Sequence, residues 1–95
     1  MKRGYVYIIT NPGRTVLYVG VTSDLMGRIA KHKNKFYPQS FSARYNCRLL
    51  MYFNEFPNIQ EAIIEEKRIK AGSRRKKIEL IMGMNPQWED LAKDW

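Results

Sequence analysis

The sequence is short of the residues that build disulfides and metal clusters. Its 95 residues include one cysteine, Cys47, and one histidine, His32. A single Cys cannot close an internal disulfide, and one Cys with one His cannot complete a tetrahedral zinc site. Cys47 therefore reads as a small, partly buried hydrophobe, and a reducing, cytoplasmic setting is expected. Aspartate is scarce as well: Asp24, Asp90 and Asp94 are too few to converge as the several carboxylates of a two-metal nuclease site. No run approaches the roughly 20 apolar residues of a membrane helix, so no membrane partner is expected. The strand-like run after Lys2-Arg3 is too short and polar for a signal peptide.

What is present is positive charge on a modest core. Hydrophobic residues make up 44% of the chain, enough for one core and little more, so residues 1–95 are expected to form a single domain. Lys and Arg number 17 against 9 acids, a net charge of +8. The charge comes in one-signed blocks. Residues 1–54 hold nine Lys/Arg and one acid, Asp24, and residues 67–77 hold seven Lys/Arg and none. Such blocks suit a phosphate backbone better than an evenly mixed surface would.

Hydrophobic patterning divides the chain into an α+β order, β-β-α-β-α-α. Residues 4–9, β-branched and aromatic, read as a strand. The Pro12-Gly13 turn follows in the order a type II turn takes, and residues 16–21 read as the returning strand. A loop symmetric about Pro12 and Gly13 would put Tyr7 opposite Tyr18. A helix follows to about residue 33, capped by Thr22 or Ser23 with Asp24 in its first turn. Its expected apolar stripe is Leu25, Met26, Ile29 and Ala30. Arg28 and His32, four residues apart, share one edge, and Lys31 and Lys35 point away from the stripe. Residues 34–46 read as a basic loop, 48–53 as a third strand, and 59–71 as a helix between Asn58 and Gly72. A last helix spans about 74–82, ended by Asn85-Pro86, with a short turn packing Trp88 and Leu91.

One acid breaks the pattern. Ile59, Ala62, Ile63 and Ile69 form the inner face of the 59–71 helix, and Glu66 projects within that arc. A carboxylate aimed at a core is costly unless it is paired or binds a metal. Lys70, at i+4, is the obvious partner for a structural ion pair.

Tyr5-Val6-Tyr7, then Tyr18-Val19-Gly20 after ten residues, followed by Thr22, Asp24-Leu25, Arg28 and His32, resembles the GIY-YIG nuclease domain. The small stand-alone bacterial members also share a late Ala-x-x-x-Glu-x-x-Ile-Lys stretch, here 62–70, and an Asn-Pro-x-Trp, here 85–88. Tyr5 stands where the family has Gly, and Val6 and Val19 replace Ile. The resemblance implies a three-stranded antiparallel sheet flanked by helices, and catalytic roles for Tyr7, Tyr18, Arg28 and His32. It also implies that Glu66 holds a metal, Mg²⁺ or Mn²⁺, with Asn85 near the site. Phosphodiester hydrolysis explains the set: Arg28 offers a planar fork to phosphoryl oxygens. A carboxylate-held cation would steady the departing 3′ oxygen, and Tyr7, relayed by Tyr18 or His32, would accept or position the water's proton. Lys31, Lys33, Lys35, Lys67, Lys70, Arg74, Arg75 and Lys77 are the expected contacts to nucleic acid.

The resulting expectation is a metal-dependent endonuclease acting on DNA with low sequence specificity, of DNA repair or processing type, with RNA left open as substrate. Two alternatives stand beside it. One is a nucleic-acid-binding module whose site is idle, and the other a nuclease subunit whose specificity comes from a protein partner.

Overall fold

The computed structural model describes residues 3–95; Lys2, cited above beside Arg3, lies outside them. Three strands form one antiparallel sheet: β1 (Gly4–Thr10), β2 (Leu17–Thr22) and β3 (Leu49–Phe56), in the order β2-β1-β3. Four helices flank it: α1 (Leu25–Lys33), α2 (Phe41–Arg44), α3 (Ile59–Ala71) and α4 (Arg74–Met84). None is long and apolar enough to cross a membrane.

The period-2 alternation of β1 gives the sheet two unlike faces. Val6 and Ile8 pack with Val19, Met51, Ala62, Ile69 and Ile81, under α3 and α4. Tyr7 and Ile9 pack with Leu25, Ile29, Cys47, Leu50 and Ala92, under α1 and the C-terminal segment. Cys47 is buried and unpaired. A register shift between Ile8 and Ile9 opposes Leu50 to Ile9 and Tyr52 to Ile8. Met51, the extra residue, and Tyr52 thereby both join the α3 side.

Several boundaries differ from the sequence expectation. The hairpin pairs Tyr7 with Gly20 and Tyr18 with Ile9, not Tyr7 with Tyr18. The cause is an asymmetric loop. Arg14 N–H donates to the Asn11 carbonyl at 2.9 Å, closing the turn over Pro12-Gly13. Arg14, not Gly13, takes the left-handed backbone at φ 56°, so the turn is not type II. The shift is two residues, so Tyr7 and Tyr18 stay on one face. In α1, Asp24 is the N-cap, its carboxylate accepting from Gly27 N–H at 3.2 Å. The helix is rolled so that its Arg28–His32 edge turns toward the sheet while Met26 and Ala30 are exposed. The expected 34–46 loop contains the one-turn α2, capped by the Ser40 hydroxyl. β3 continues to Phe56, and α4 runs two residues past its expected end at 82. Trp88 and Leu91 pack as expected, one against each core.

Candidate active site at the edge of the sheet

Tyr7 is the floor of the site. It is 0% exposed and its ring lies directly over Gly20. A Cβ at Gly20 would stand 2.3 Å from the Tyr7 hydroxyl oxygen, far inside van der Waals contact, so glycine at this position is what lets the ring lie flat on the strand. From α1, His32 meets Tyr7: the Tyr7 hydroxyl and His32 Nε2 are 2.8 Å apart. On the far side of the imidazole, His32 Nδ1 stands 2.9 Å from Ser42 Oγ, and Ser42 Oγ lies 3.3 Å from Ser40 Oγ. The arrangement sets the proton positions. Burial, with Arg28 as the second cause, depresses the His32 pKa to about 4, so the ring is neutral at pH 7 and has one N–H. Among the described residues the buried Tyr7 hydroxyl has no acceptor other than His32 Nε2, so it donates there, and Nδ1–H donates to Ser42. Ser42 Oγ in turn shares a hydrogen bond with Ser40 Oγ, which also accepts from Ala43 N–H at 3.3 Å.

Tyr18 closes one side of this chain. Its ring centroid is 6.5 Å from that of Tyr7, tilted, and 5.7 Å from that of His32, edge-on. Arg28 sits four residues before His32 and lines, with Tyr18, His32, Lys31 and Lys35, a cleft of about 100 Å³. Desolvation pushes the Tyr7 pKa up to about 12. The nearby Tyr18 and Glu66 add to the rise, and the Arg28 guanidinium opposes it. Tyr7 is thus a neutral phenol in the resting protein, never a free phenolate near pH 7.

α3 supplies the remaining group at the β2 edge. Glu66 is 8% exposed, between Ala62 and Ile69 on the buried face of the helix. Its Oε2 accepts from Lys70 Nζ at 2.7 Å, the ion pair the i+4 spacing suggested. The same ammonium stands 5.9 Å from the centroid of the Tyr18 ring. Among the described residues no group of three or more His, Cys, Asp and Glu converges. Glu66 is a lone carboxylate, which fits a hard ion that keeps most of its waters and takes one or two carboxylates plus phosphate oxygens. The position beside Oε2 already receives a cationic group, the Lys70 ammonium.

The structure thus brings Tyr7, Tyr18, Arg28, His32 and Glu66 to one edge of the sheet. The expected nucleic-acid contacts are not all alike. Lys31, Lys35, Lys67 and Arg74 are exposed, and none is within 4 Å of a carboxylate among the described residues. Arg75 is exposed and 3.9 Å from Glu79, a pair too loose to hold it. Lys33 is turned into the structure, 2.6 Å from Asp90, and Lys77 donates to the Gly72 carbonyl at 2.8 Å. Asn85 is buried, its amide donating to the Met51 and Glu89 carbonyls and accepting from Glu89 N–H. It ties the C-terminal segment to β3. The sequence reading missed Ser42. Its only signal was the Ser-x-Ser of a turn-rich stretch, which has the composition of a loop.

A family model described as the GIY-YIG catalytic domain matches residues 3–79. A UPF0213 protein from Bacillus halodurans, solved by solution NMR, is 32% identical to the chain. The match covers 93% of this chain and 92% of that one, with a TM-score of 0.57. No curated relative matches.

Proposed function

The chain belongs to the GIY-YIG family, a nuclease family, and on that premise we propose that it is a metal-dependent endonuclease nicking DNA with little sequence preference. The observation that carries this reading is the 2.8 Å hydrogen bond from Tyr7 to a neutral His32 at a cleft lined by Arg28. A binding module would need only the cations. A relay that hands a proton from a phenol to an imidazole serves chemistry.

Arg28 presents a planar fork to two phosphoryl oxygens in the cleft and faces the charge that gathers there as water attacks. Tyr7 is buried in the resting structure, so substrate binding has to open its oxygen to the attacking water; the water's proton then passes to that oxygen while the Tyr7 proton moves to His32 Nε2, and no free phenolate forms. His32 keeps its Nδ1–H on Ser42 throughout. The negative charge building on the phosphate offsets the desolvation that holds His32 neutral, making the imidazole a better acceptor during the step. Glu66 would hold Mg²⁺ or Mn²⁺, which when bound supplies positive charge to the departing 3′ oxygen. Lys70, which pairs with Glu66 in the structure, would have to release the carboxylate for this.

A second reading, a nucleic-acid-binding module with an idle site, draws on one observation: Lys70 already neutralises Glu66. Nicking of supercoiled plasmid separates the two. The purified protein is expected to open the plasmid with Mg²⁺ or Mn²⁺ and not with EDTA, and to do the same to plasmids of unrelated sequence. Arg28→Ala should slow nicking about 10²–10³-fold while lowering duplex affinity only slightly. Cutting at one defined sequence, or Arg28→Ala nicking at the parental rate, would remove the proposal.

A further inference from the structure

The segment between α1 and β3 leaves large rings in solvent beside the cleft. Phe36 and Tyr37 are each 58% exposed, and Phe41 and Tyr45 about half exposed. These rings are ordered against one another. Phe36 stands edge-on to Tyr37, centroids 4.8 Å apart, and Tyr45 lies 4.6 Å from Phe41. Phe41 is in turn stacked on Tyr18, at 6.0 Å and 24° between planes. An aromatic path therefore runs from the Tyr7 hydroxyl through Tyr18 and Phe41 to Tyr45. Cations flank it. Lys31 Nζ stands 5.1 Å from the Phe36 centroid, and Phe36 and Tyr37 share the cleft with Arg28, Lys31 and Lys35. From residue 25 to residue 54 there is no acidic residue and there are six Lys or Arg.

We propose that this ledge binds the unpaired bases of single-stranded DNA, so that the bond delivered to Arg28 lies in or beside an unpaired segment. Exposed apolar rings of this size need a covering partner, and the unbroken positive charge around them selects a polyanion. Within that class, a duplex encloses its bases in its own stack and offers only phosphates, which Lys31 and Lys35 could meet without any ring. A single strand offers phosphates and free π-faces together, and alternating rings and cations match both. The choice of single strand as substrate rests on the nuclease reading; the binding of bases to the rings does not.

The test therefore measures binding in EDTA, where no cleavage occurs, and nicking separately in Mg²⁺. Three ligands of equal phosphate number are compared by fluorescence anisotropy: an oligothymidine strand, the same strand with abasic sites, and a blunt duplex. The full chain should prefer the base-bearing strand over the abasic one by about 10-fold or more. Phe36→Ala and Tyr45→Ala should each erase most of that preference while leaving abasic-strand and duplex affinities unchanged. Phe36→Leu and Tyr45→Leu, which keep apolar bulk without a π-face, should behave like the Ala variants, with melting temperatures near that of the parent. Equal parental affinity for the base-bearing and abasic strands would overturn the proposal. So would ring variants that weaken strand and duplex alike. Strand affinity unchanged in the variants, with a parental dimer becoming monomeric in sedimentation, would assign the ledge to a second copy of the chain instead. Base-dependent binding without nicking in Mg²⁺ would keep the ledge and remove the nuclease reading. Nicking without base-dependent binding would do the reverse.

Discussion

The two faces of the sheet are built from the same strands and do different work. Toward α3 and α4, Val6, Ile8, Val19 and Val21 meet Ala62, Ile69 and Ile81, and the packing is apolar except where α3 brings Glu66 to the β2 edge. Toward α1, the alternate positions present Tyr7, Gly20 and Tyr18, and the helix answers with His32 and Arg28 as well as Leu25 and Ile29. Burial on the first face stabilises through area removed from water. On the second, the same burial is spent on shifting proton affinities: it holds Tyr7 protonated and His32 neutral, in contact with each other. A small domain thus separates stability from chemistry across one strand, residue by alternate residue.

The comparison is broken most directly by moving a substitution from one face to the other. At the site, Glu66→Gln should abolish nicking at every Mg²⁺ concentration. The Lys70 ammonium it faces is half exposed, so losing the pair should cost at most about 1 kcal/mol of stability. Melting temperature and nicking rate measured on this one variant check both halves, and a stable, fully active Glu66→Gln protein would end the metal-ligand assignment. On the opposite face, Ile8→Ala should lower stability by about 2–5 kcal/mol, seen in urea unfolding. Its nicking rate per folded molecule should stay near the parent's below the transition. An equal loss of rate would mean that the two faces are coupled.

Smaller effects sharpen the boundary. Ser42→Ala removes the acceptor that orients His32 and that would steady its imidazolium, so nicking should fall about 10-fold and the acidic limb of its pH profile should move downward. Ser42→Thr, which keeps the hydroxyl, should restore both. A purely structural Ser42 would leave the limb where it was. The same burial also makes stability depend on pH. His32 has a pKa near 4 when folded against about 6.5 when unfolded. Between those values the unfolded chain binds the extra proton, so stability falls as pH drops from about 6.5 toward 4. Melting temperatures across that range, compared with those of His32→Asn, should show the parent losing more. Parallel curves would mean that His32 titrates normally.

Much of this could be read in the chain before any coordinates. The helix at 59–71, with Asn58 as cap and Gly72 as stop, is where the pattern placed it, because capping and periodicity are local properties. Glu66 declared itself by sitting on an apolar arc, and its i+4 partner by spacing alone. Where the reading failed, distant contacts had decided. Met26 and Ala30 belong to the apolar half of α1 by composition but face solvent, because the helix rolls to put His32 on Tyr7. Lys33 looked like one more phosphate contact until Asp90, 57 residues later, claimed it. The register slipped by two because Asn11 bonds Thr15 and Val16 through its side chain, lengthening the return side of the loop.

By itself the sequence determined the elements, their order, the sign of the surface and the inventory of reactive groups, all set by period, caps and composition within a few residues. Only the tertiary structure decided which groups meet: that Tyr7 lies over Gly20 rather than beside Tyr18, that its proton points to His32, and that Ser42 stands behind the imidazole. The reason is that proton affinity and hydrogen-bond direction depend on desolvation and on neighbours brought from 10 to 60 residues away, and neither is a property of any local stretch of chain.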